Sequence, residues 1–117
     1  MTNPKVISIR ELLRSDTALS ADDGKALFTK TDSAFSRGID VILDFAGIQA
    51  VTATFFNEAI GQLCDRYTSE QLREHLTVQH LDKSDEDLLN QVIQRAYEYR
   101  RTPQSIALAL KDAFDDE

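Results

Sequence analysis

Between Val41 and Leu63 the chain reads VILDFAGIQAVTATFFNEAIGQL, and no other stretch limits the available folds as tightly. Val41, Ile42 and Leu43 form an apolar run that stops at Asp44. A strand buried on both faces has this signature, because its apolar residues are continuous rather than alternating. Beyond Gly47, the residues Phe55, Phe56, Ala59, Ile60, Leu63 and Cys64 recur at spacings that set them along one broad helical face. A central strand therefore feeds a buried helix through a loop carrying two hydroxyls, Thr52 and Thr54.

The flanking segments supply the walls of this unit. Lys5 to Ser8 alternate weakly behind Pro4 and suit a short strand at a sheet edge. Ser8 and Glu11 make a capping-box pattern that starts a short helix over IRELLR. Ser20 caps a second helix, with Asp22 and Asp23 in its first turn and Leu27, Phe28, Thr31, Ala34 and Phe35 as its stripe. Gly24 weakens that helix and fits close backbone packing or a partner surface, whereas Gly38 suits its left-handed end. After the break at Tyr67 and Thr68, Ser69 is expected to cap one or two turns over SEQLRE.

Leu76 to Leu81 then alternate as a half-buried strand, with Leu76, Val78 and His80 on one side. Ser84 is expected to cap the next helix, whose face carries Leu88, Leu89, Val92, Ile93, Ala96 and Tyr97 and whose end carries Arg100 and Arg101. From Thr102 and Pro103 a terminal helix is expected, with a stripe of Ile106, Leu110, Ala113 and Phe114, either packed on the same domain or partly frayed above Asp115, Asp116 and Glu117. Residues 41–81 thus form a right-handed parallel βαβ unit within a sheet of at least three strands.

A chain of 117 residues can bury a core without disulfide or metal, so one domain is expected. The net charge of −7, from 20 acidic against 13 basic residues, speaks against nucleic acid or an anionic membrane surface as partner. The opening MTNPKVISI resembles neither a signal peptide nor a membrane span, which predicts a cytoplasmic protein. Cys64 lies on an apolar face without a cationic neighbour and reads as an inert thiol. His75 and His80 lack Cys or acidic residues at metal-ligand spacing and read as packing or surface residues, so no metal and no cofactor are expected.

Enzyme signatures fail one by one. Phosphate-binding loops need several glycines at the strand-to-helix turn, and only Gly47 is there. Nucleophilic catalysis by Thr52, Thr54 or Cys64 needs an adjacent base, and the histidines sit on another element. Asp44 and Glu58 could pair as carboxylates, but a strand-end Asp and a helix-surface Glu are ordinarily structural. No catalytic residue is assigned. The loop itself fits protein binding better: a hydroxyl at a helix start caps free N–H groups, and a phosphate there would gain from the same groups while adding charge that a partner could read.

At VILDF followed by VTATFFNEAIGQL, with ISIRELL and DGKALF upstream and LTVQHL and SDEDLLNQVIQRAYEY downstream, the sequence resembles the STAS-like domain family of unknown function, a relative of the anti-sigma-factor antagonists. The resemblance spans roughly residues 5–100 and leaves the segment from Thr102 uncovered. It implies an α/β fold, a mixed sheet of about three to four strands with helices packed mainly on one face, and a non-enzymatic role as the partner of another protein. In the better-known antagonists the corresponding loop carries an Asp-Ser-Ser-Gly run whose second Ser is phosphorylated by a kinase that is also the binding partner. By position Thr54 stands at that Ser, while Thr52 replaces the Asp and Phe55 the Gly.

Two functional classes follow. One is an adaptor, monomeric or weakly dimeric, that binds an ATPase or kinase of the histidine-kinase type, or another regulator. Its surface would be Asp44, Gly47, Thr52, Thr54, Asn57 and Glu58, with Thr54 as the phosphorylation position and Phe55 or Phe56 packed inward. The other is a domain that senses a small molecule or nucleotide at the carboxyl end of the central strand, where open α/β sheets take ligands.

Overall fold

The computed structural model describes residues 3–101; the terminal helix expected beyond Thr102 lies outside them. Three strands, β1 (Lys5–Ser8), β3 (Val41–Asp44) and β5 (Leu76–Gln79), form a parallel sheet in the order β1-β3-β5. Two further strands, β2 (Thr17–Ala18) and β4 (Ala50–Val51), make a separate parallel ribbon with Ala18 opposite Val51. The helices are α1 (Ile9–Leu13), α2 (Ala21–Ser36), α3 (Ala53–Phe56), α4 (Gln62–Arg66), α5 (Ser69–His75) and α6 (Lys83–Arg101). A π-helical turn, Asn57–Gly61, joins α3 to α4 without a break in helical backbone.

The sheet order explains where the helices go. Each step from β1 to β3 to β5 moves in one direction, and right-handed crossovers that step one way place every connecting helix on the same side. Burial agrees. Ile7, Val41 and Leu43 are almost wholly buried on the helical side, whereas on the other side Val6 is 57% exposed, Thr77 is exposed and Ile42 only half-buried. The expectation that the central strand is buried on both faces is therefore corrected: the β3 run is continuous in apolarity, but only alternate residues enter the core.

That core closes around Phe45, Phe55 and Phe56. Phe56 meets Phe45 and Phe55 edge-on at ring-centroid separations of 6.1 and 5.9 Å, a favoured arrangement for aromatic quadrupoles. Ala59, Ile60, Leu63 and Cys64 continue the buried face of the helix, as their spacing predicts. The Tyr67 hydroxyl donates to Asp32 at 2.7 Å, and the Tyr97 hydroxyl donates to the Tyr67 carbonyl at 2.9 Å, which fastens α2 and α6 to the end of α4.

Three boundaries differ from expectation. The hydroxyl that caps α5 belongs to Thr68, in a full capping box with Gln71, and not to Ser69. The cap of α6 is Asp82, whose carboxylate accepts the Asp85 N–H at 2.9 Å, and not Ser84, which donates to that same carboxylate. Where several capping residues adjoin, the one at which the preceding chain leaves extended backbone takes the role. Finally, β5 stops at Gln79, because His80 adopts φ 62° and cannot continue the strand.

Candidate functional site

The β2/β4 ribbon determines the geometry of the candidate surface. Both strands run in parallel and each leads directly into a helix, so α2 and α3 start side by side. Thr52 caps α3: its hydroxyl accepts the Phe55 N–H at 3.1 Å and donates to the Leu19 carbonyl at 2.6 Å, and its own N–H reaches Ala18 O at 3.2 Å. One side chain therefore both starts α3 and ties it to the approach of α2.

Because Thr52 takes the capping role, Thr54 does not have it. Thr54 is exposed, two residues into the helix, and Asn57, one turn on, is exposed as well. Phe55 and Phe56 are both fully buried, where one inward ring was expected. Glu58 is half-buried and turned toward α2: a Cβ built on Gly24 would lie 2.7 Å from Glu58 Cβ and 2.7 Å from the Phe55 carbonyl oxygen. Gly24 thus permits the close contact of α2 with the π turn, the close-packing role open to it in sequence.

Asp44 and Gly47 sit in the turn before this surface. Asp44 Oδ1 accepts the Ala46 N–H at 2.9 Å and lies 2.7 Å from His80 Nδ1. An ionised carboxylate can only accept, so Nδ1 carries the proton. The His80 hydrogen bond, and after it the one from Ala46, hold the Asp44 carboxyl below its ordinary range. Gly47 has φ 83°, so the backbone demands glycine; a Cβ there would fall 2.8 Å from Nη1 of Arg10, whose flexible side chain lies against the turn. Thr52, Thr54, Asn57 and Glu58 thus share one helix start, while Asp44 and Gly47 shape the turn leading to it.

Two features escaped the sequence reading. Leu19 is 44% exposed beside Thr52. It precedes the Ser20 cap of α2, the position from which an apolar side chain ordinarily staples onto the fourth helical residue. That residue is Gly24, which offers no side chain to pack on, so Leu19 remains outward. The second is a pair of His–Asp contacts bracketing β3: His75 Nδ1 lies 2.7 Å from Asp40 Oδ1 at the amino end, as His80 does from Asp44 at the carboxyl end. Neither imidazole is hydrogen-bonded to Thr52 or Thr54. Among the described residues no group of three or more His, Cys, Asp or Glu side chains could hold a metal ion, and no helix is long and apolar enough to cross a membrane.

A family model described as a STAS-like domain of unknown function matches residues 23–86, more than half of the chain, from the first turn of α2 into the first turn of α6. No curated protein and no solved structure matches it.

Proposed function

This chain belongs to the STAS-like domain family of unknown function, and from that premise we propose that it is a non-enzymatic regulatory adaptor that binds a partner protein at the start of α3. The observation that carries the reading is the division of labour between the two hydroxyls. Thr52 is consumed in capping and tied to Leu19, whose side chain stays outward, whereas Thr54 is exposed with exposed Asn57 one turn on. An apolar side chain flanked by polar groups on a rigid helix start is a surface a protein partner can bury. The first turn of α3 has no acidic residue of its own, so a phosphoryl group on Thr54 would be the one negative charge in that turn, at the helix end that favours it. An ATPase or kinase of the histidine-kinase type is the partner class proposed, and phosphorylation of Thr54 the proposed switch.

The small-molecule reading is weaker on topology. Ligands in open α/β sheets sit where the strand order reverses, and β1-β3-β5 does not reverse.

Affinity capture from the native host tests the adaptor. The wild-type protein is expected to recover one stoichiometric partner that Thr54→Glu and Asn57→Ala lose. Glu in the first turn favours the helix dipole, so loss in Thr54→Glu would not reflect unfolding. Unchanged recovery in both variants removes this surface from the interface. Intact-mass analysis of protein from the same host is expected to show a phosphoryl adduct on Thr54, and its persistent absence ends the switch.

A further inference from the structure

The two edges of the sheet are built differently. The β1 edge begins at Pro4 and Lys5, the residues with which natural sheets blunt an exposed edge. The β5 edge, LTVQ, has no charge, proline or glycine, and among the described residues β5 pairs with β3 on one side alone. Beside it runs a groove of about 440 Å³ between α5 and α6, with Leu76, Val78, Leu89 and Ile93 among its apolar walls. An unprotected edge next to an apolar groove calls for an occupant.

We propose that the occupant is a second copy of this chain, joined through antiparallel β5–β5 pairing about a two-fold axis normal to the sheet. Charge complementarity supports the assignment. Arg73 lines the groove at the amino end of β5, on the helix that precedes it, and Glu86 lines it at the carboxyl end, in the first turn of the helix that follows. Neither enters an ion pair among the described residues. The two-fold sets the amino end of one β5 against the carboxyl end of the other, so Arg73 of each copy meets Glu86 of its mate, twice per dimer. Side chains paired across an antiparallel ladder share a face. With both helical layers on one side, the proposed register is centred on Thr77, whose exposed side chain lies on the open face: Leu76 stands opposite Val78, and Thr77 faces its own copy across the axis.

Thr77 gives the proposal a position-specific test. In full-length Thr77→Cys, mild oxidation is expected to yield a cross-linked dimer at least about tenfold faster than in Val6→Cys, an exposed control on the opposite edge strand; the native Cys64 is buried. By sedimentation velocity across a concentration series, Arg73→Glu and Glu86→Arg should each weaken the dimer about tenfold or more, because each sets two like-charge pairs across the axis, and the double swap should restore it. Hydrogen exchange should show protection of β5 amides that grows with protein concentration. A wild-type monomer at every concentration overturns the proposal. So does a dimer indifferent to the charge swaps and cross-linking no faster than the control, which would pair elsewhere. Concentration-independent protection of β5 also overturns it, because the chain's own residues would then cover the edge.

Discussion

Substituting Gly24 by Ala sets two opposed effects against each other with opposite signs. In an isolated helix the change is favourable by about 1 kcal/mol, since Ala loses less backbone entropy than Gly. In this protein the new methyl would stand 2.7 Å from the Phe55 carbonyl oxygen, 2.7 Å from Glu58 Cβ and 3.1 Å from the Ala59 nitrogen. Two of these atoms are backbone and the third is the base of a side chain, so no rotamer change relieves the contact. Helix α2 must retreat from the π turn by about 0.7 Å to bring the 2.7 Å contacts to an ordinary 3.4 Å, which loosens the packing around buried Leu27 and Ala59. Overpacking of this kind costs roughly 1–3 kcal/mol, and the immovable neighbours place it at the upper end. The net expectation is a destabilisation of about 1–2 kcal/mol, or a midpoint lowered by roughly 4–16 °C. Urea denaturation followed by circular dichroism, with thermal melts alongside, measures it. A variant as stable as wild type or more so would mean that propensity governs and that the contact of α2 with the π turn is not close, which refutes the packing argument.

Other perturbations follow from single side chains. The Thr31 hydroxyl is fully buried without a hydrogen-bond partner among the described residues, so Thr31→Val, which keeps the shape, is expected to stabilise by about 1 kcal/mol in the same urea assay. Thr52→Ala removes the α3 cap and the tie to Leu19, and should cost about 1–2 kcal/mol. For Asp44 the folded state holds the carboxyl below its ordinary range, so its contribution is present above the unfolded carboxylate pKa, about 4, and is lost as pH falls through the lower folded value. Asp44→Asn should therefore flatten the fall in urea midpoint between about pH 5 and pH 2, and an unchanged acid limb would show that the His80 contact contributes nothing to stability.

Local periodicity carried the elements that depend on it. The apolar run at Val41, the stripe from Phe55 to Cys64 and the α6 face from Leu88 to Tyr97 all lie where spacing places them. What sequence could not carry was set by partners distant along the chain. Strands β2 and β4 hold two residues each, too few for any period, and exist because Thr17 and Ala18 find Ala50 and Val51. The π turn has no sequence signature and coincides with the closest approach of α2 at Gly24. The His–Asp pairs join residues 35 and 36 apart and become visible only when β3 and β5 pair in register, Asp44 opposite Gln79, which sets His80 one step beyond the ladder. At the candidate site the residue types were legible and their roles were not. Thr52 and Thr54 are equally good capping residues, and the choice falls to Thr52 because the ribbon ends at Val51 and leaves it in extended backbone.

That choice links fold to function. Had α3 begun two residues later, Thr54 would spend its hydroxyl on the helix and Asn57 would rotate out of its present place beside it. The start of α3 is fixed by β4, whose partner β2 is fixed in turn by the short α1 and its turn at Arg14, a residue in left-handed backbone. The turn before β4 is held from the other side, where Gly47 leaves room for Arg10 and Asp44 is anchored by His80. Three separate regions of the chain, residues 9–18, residues 44–51 and His80, thus set the outward pose of Thr54 and Asn57, and none of them belongs to the hydrophobic stripe of the helix itself. On the adaptor reading proposed above, a helix start held from several sides, with a Thr54 hydroxyl unengaged among the described residues, is the surface a partner would recognise, and packing of the core alone would not select it.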